Sequence, residues 1–95
     1  MQLRGLRPLS EMNRLRFRHR LTSSEARLRI VLANHKTGQQ WDATLPNLPT
    51  GRWAEASVDF KIVAGQESFA DELQFLAPPG AEFLLDDVLL YEPGD

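Results

Sequence analysis

The sequence predicts an all-β fold, an antiparallel β-sandwich of about six strands, on three observations. From Arg14 to Leu21, the arginines at 14, 16, 18 and 20 alternate without a fault with Leu15, Phe17, His19 and Leu21. That period of two is the signature of a strand with one wet face and one buried face. Short apolar segments then recur at roughly 8–14-residue spacing, separated by turns rich in Gly, Pro, Ser and Asn. No stretch carries a convincing helical period, and the best, residues 66–73, reads as a turn at most. The chain has 95 residues, enough for one domain with a thin core.

The elements follow in order. Residues 1–12 show no clean period and read as a lead-in segment. The sandwich domain spans 13–92, and 93–95 form a tail. Its first strand is the alternating segment at 14–21, ended by Thr22, Ser23, Ser24 and Glu25. A second strand at about 26–33 turns Ala26, Leu28, Ile30 and Leu32 to one side. The turn Asn34–Gly38 leads to a third strand at about 39–45, where Trp41, Ala43 and Leu45 share a face. Pro46 and Pro49 keep the next segment out of any sheet. A fourth strand at about 52–60 sets Ala54, Ala56, Val58 and Phe60 opposite Trp53, Glu55, Ser57 and Asp59. Residues 61–70 are a loose connection to a short strand at about 71–77, stopped by Pro78-Pro79-Gly80. The last strand, about 82–91, is apolar on both faces apart from Asp86 and Asp87, which predicts a central strand, covered on both sides or facing a groove.

Composition removes several classes of function. There is no cysteine, so disulfides, thiolate metal sites and cysteine nucleophiles are excluded. The apolar runs are too short to cross a membrane as helices, and the N-terminus has no apolar secretory core. The net charge of −2 hides an uneven distribution: residues 1–36 carry +7 and residues 37–95 carry −9. A basic face for an anionic polymer is one reading. Strands of opposite charge pairing across their wet faces is the other, and it is preferred because no nucleic-acid fingerprint or phosphate loop occurs.

Four segments carry a resemblance to a known family. They are 13–33, 51–60 with its Gly51-x-Trp53 opening, 71–77, and the closing FLLDDVLLYEPG at 83–94. Together they resemble the later strands of galactose-binding-like jelly rolls, the β-sandwiches of many carbohydrate-binding modules. The resemblance implies a non-catalytic, carbohydrate-binding accessory domain of a larger or secreted polysaccharide-acting system, outside the cytoplasm. It also implies a structural Ca²⁺ held with the help of Asp86. Such modules open with strands that nothing before Asn13 matches, so the resemblance implies a truncated sandwich. Its open edge would pair with a second copy or a parent-chain partner. A purely structural or assembly sandwich is the alternative function.

The residues offer matching candidates. Trp53 and Trp41 can stack on sugar rings; Trp53 lies on the polar side of its strand and Trp41 on the apolar side, where core packing competes. Arg14, Arg16, Arg18 and Arg20, with Arg27 and Arg29, form a ladder that can grip sulfate or uronate groups through their forks, Arg16 and Arg18 foremost, or pair with acids across the sheet. Asp86 and Asp87 invite either the calcium or a pairing with Arg16 or Arg18 plus backbone bonds at a bulge. His19 falls in the apolar register, as a buried imidazole with its hydrogen bonds satisfied. Adjacent acids on a regular strand face opposite ways, so Asp71-Glu72 and Asp86-Asp87 are not expected to act as paired catalytic carboxyls. No enzyme activity is expected.

Overall fold

A computed structural model describes residues 2–62 and 68–93. Seven strands form: β1 (Gln2–Leu9), β2 (Met12–Thr22), β3 (Leu28–Ala33), β4 (Gln40–Leu45), β5 (Trp53–Lys61), β6 (Ser68–Leu76) and β7 (Glu82–Tyr91). They make two antiparallel sheets, ordered β1-β6-β3-β4 and β5-β2-β7, and the described residues include no helix. The fold is the all-β sandwich that the periodicity predicts.

The chain changes sheet at nearly every connection. Only β3 and β4 are sequential neighbours in one sheet. Their turn is built by Asn34: its side-chain Oδ1 accepts from the Lys36 N–H at 2.9 Å, and its carbonyl accepts from the Gly38 N–H at 2.9 Å. Gly38 sits at φ 76°, a conformation that costs glycine little. The loop between β4 and β5 is tied down by two backbone bonds, Leu48 N–H to the Ala26 carbonyl in the β2–β3 connection and Gly51 N–H to the Leu21 carbonyl near the end of β2, each 2.8 Å.

The core lies between the sheets. Leu15, Phe17 and Leu21 of β2 meet Leu28, Ile30 and Leu32 of β3 and Leu73 of β6, all essentially without solvent contact. Phe17 packs edge-on against Phe75 at 5.2 Å between centroids, and Phe75 stacks with Phe83 at 5.9 Å. The strict alternation of β2 is thus realised, with the arginines outside and the apolar residues inside.

Three expectations are corrected. The lead-in is a strand from Gln2 to Leu9, paired with β6, and so a strand precedes Asn13. Its register slips between Gln2↔Glu72 and Arg7↔Ala70, which sets Leu3–Leu6 against Asp71 alone and accounts for the missing period. Pro8 is tolerated because β1 is an edge strand. Second, β7 is not central: it is the edge of the three-stranded sheet, paired only with β2. Leu84 and Leu89 on its outer face are 41% and 55% exposed. Third, His19 is fully buried, yet neither ring nitrogen has a hydrogen-bond partner among the described residues.

Candidate functional site

The candidate site is the outer face of the β5-β2-β7 sheet. The registers arrange it as four rows across three strands: Trp53–Arg20–Leu84, Glu55–Arg18–Asp86, Ser57–Arg16–Leu89 and Asp59–Arg14–Tyr91. Paired residues of an antiparallel ladder share a face, so these side chains form one continuous surface about 20 Å long.

Its charges are cross-linked, which is why four arginines can stand on one strand. Arg14 Nε donates to Asp59 Oδ1 at 2.8 Å and its Nη2 to Oδ2 at 3.2 Å, a two-pronged pair. The Asp59 bond and charge hold the guanidinium more firmly protonated; in return the Arg14 hydrogen bond lowers the Asp59 pKa below 3.8. Arg16 reaches diagonally to Glu55, whose hydrogen bond raises the guanidinium pKa. Arg18 lies over the Trp53 ring, 5.6 Å from its centroid, and approaches Asp87 Oδ2 at 3.8 Å. Trp53 keeps 40% of its surface exposed.

A bulge shapes the middle of this face. Between Arg16 and Arg18 the β2–β7 register shifts, leaving Asp87 and Val88 opposite Phe17 alone. Asp87 adopts φ 50°, a left-handed conformation that Asp tolerates better than most residues. Asp86 Oδ1 accepts the Asp87 N–H at 2.9 Å. The slip opens a notch of about 420 Å³ between Arg16, Arg18, Glu55 and Asp87, with Phe17 and Val88 at its apolar floor and Leu89 at its rim.

The bulge also overturns the expectation about adjacent acids. Leu85 and Val88 both pack inward although they are three apart, so Asp86 and Asp87 are both exposed on the outside. A similar slip occurs in β6, where the core residues Ala70 and Leu73 are three apart. There Asp71 Oδ1 lies 3.0 Å from His35 Nδ1, and Glu72 Oε2 lies 2.6 Å from His35 Nε2. The His35 backbone N–H also donates to Asp71 Oδ1 at 3.2 Å. Nothing in the sequence links His35 to acids 36 residues away; the β3–β6 pairing does.

The candidates therefore separate. Trp53, Arg16 and Arg18 come together on the outer face. Trp41 does not join them: it pairs with Leu32 in the other sheet and packs, half-buried, against the core. Asp86 lies opposite Arg18 in register, but the ion pair of Arg18 is with Asp87, so the pair divides into one salt bridge and one backbone bond at a bulge. Up to Pro8, the N-terminal side chains that the resemblance adds to Asp86 for Ca²⁺ lie outside the described ones. Among the described residues no group of three or more His, Asp or Glu side chains comes together to hold a metal ion. Leu84 has no signal in the sequence as a site residue; only the register sets it, with Arg20 of the arginine ladder, beside Trp53. No known family, no curated protein and no solved structure matches this chain.

Proposed function

We propose that this chain is a non-catalytic, carbohydrate-binding-like accessory module, wound as a jelly roll, that holds a larger activity on polysaccharide. The observation that carries the reading is Trp53: an indole 40% exposed, on the solvent face of a sheet, over which Arg18 lies at 5.6 Å. Trp53 stands in one row with the exposed Leu84, and together they offer an apolar patch on an otherwise polar face. An indole face suits the C–H edges of a sugar ring, and the guanidinium and carboxylate groups beside it suit hydroxyls. The notch at the bulge adds depth to an otherwise flat sheet. The jelly-roll part of the proposal is supported by the repeated passage of the chain from sheet to sheet. Affinity electrophoresis or calorimetry against a panel of neutral and acidic glycans tests it. Binding that Trp53→Ala abolishes supports the reading; wild-type protein that binds no glycan ends it.

A second reading has its own observation. β7 is an edge strand that carries the exposed Leu84 and Leu89, and such edges pair with other chains. In that reading the chain is an assembly sandwich whose partner strand adds to β7, as a second copy or as part of a parent chain. Light scattering after size-exclusion chromatography tests the homodimer: a mass of twice the chain, reduced to one by Leu89→Lys, supports it, and a clean monomer at high concentration removes it.

A further inference from the structure

We propose that the end of this face around Arg20 receives a carboxylate-bearing sugar, so that the polymer held is a polyuronate. This inference rests on the sugar-binding reading above and names its ligand class. Three of the four arginines on β2 are engaged: Arg14 by Asp59, Arg16 by Glu55, and Arg18 by Asp87 and Trp53. Arg20 has no ion pair or hydrogen bond among the described residues. Its direct neighbours are apolar and exposed, Trp53 on β5 and Leu84 on β7. The surface therefore offers one uncommitted fork between two greasy flanks, at the end of a sheet whose other arginines are already paired.

That combination matches an amphipathic ring with a single oxyanion. A sugar stacked on Trp53 presents its ring substituents toward the strand alongside, about 5 Å away, where Arg20 stands. A carboxylate accepts both prongs of a guanidinium, and a hydroxymethyl group in its place does not. A densely sulfated polymer fits less well. Glu55 and Asp86 lie in the adjoining row and Glu82 stands near the strand's end, so the Arg20 guanidinium faces several carboxylates, which disfavours a high density of negative charge.

The test compares polymers that differ only in the carboxylate. Polygalacturonate, alginate and glucuronan are each measured beside their carboxyl-reduced forms and beside dextran sulfate, by affinity electrophoresis or calorimetry at fixed ionic strength. Wild-type protein should bind at least one polyuronate roughly two- to fivefold more tightly than its reduced form, the scale of one charge-assisted contact at a partly exposed site. Arg20→Gln should level that difference while still binding the reduced polymer, with an unchanged circular dichroism spectrum. Equal wild-type binding to each polyuronate and its reduced partner overturns the inference and leaves the sugar reading standing. So does a preference that survives Arg20→Gln, or tighter binding to dextran sulfate. Binding to none of the polymers, reduced or not, overturns the inference and the sugar reading together.

Discussion

Replacing His19 with leucine should make this protein more stable and less sensitive to acid. The imidazole is fully buried on the inner face of β2, tilted 51° against Phe17 at 5.7 Å and stacked on Phe83 at 6.2 Å. Neither ring nitrogen has a hydrogen-bond partner among the described residues. A neutral imidazole then buries one orphan donor and one orphan acceptor, and an orphaned buried group costs about 1–3 kcal/mol. Leucine is of similar volume and carries neither group. It forfeits the aromatic contacts, worth about 0.5–1.5 kcal/mol a pair. The net gain is about 1–2 kcal/mol, a rise in Tm of roughly 5–15 °C for a domain of this size.

The same site fixes the sign of a pH effect. Burial lowers the His19 pKa from 6.5, because the apolar surroundings penalise the charged ring. Below about 6.5 the unfolded chain therefore takes up a proton that the folded chain does not. Stability is greatest above that pH and falls as pH drops from 6.5 toward the depressed folded value, by at most about 1.4 kcal/mol per pH unit. Urea unfolding at pH 7.5 and pH 5.0 measures this for both proteins, and their difference removes the contribution of every other titrating group. His19→Leu should lie above wild type at pH 7.5 and further above it at pH 5.0. A variant less stable at pH 7.5, or one losing as much stability as wild type on acidification, refutes the reasoning.

Two further predictions follow from the outer face. Asp87→Val should lose about 1–2 kcal/mol because a β-branched residue resists φ 50°, whereas Asp87→Gly should be neutral or better; thermal unfolding of the two variants shows whether the bulge has the backbone described. The Asp59 carboxyl, followed by NMR, should titrate below 3.8 and return toward that value in Arg14→Gln, since the Arg14 hydrogen bond is the largest cause of the shift. An unchanged Asp59 midpoint in the variant would separate the pair in solution.

The sequence by itself determined the two faces of the strands that alternate without a bulge, β2 and β5 above all. Alternation from Arg14 to Leu21 put the arginines outside and Phe17 inside, and β5 was legible in the same way, with Trp53 on the solvent side. Turn residues set most strand ends within a few positions, because Gly38 and Pro46 act on the backbone locally. Tertiary structure alone decided which strands became neighbours. It placed apolar β7 at an edge, gave the salt bridge of Arg18 to Asp87, left Arg20 between Trp53 and Leu84, and brought His35 to Asp71 and Glu72. The physical reason is that periodicity belongs to one segment, whereas register and bulges arise only when two segments distant in the chain compete for the same backbone hydrogen bonds.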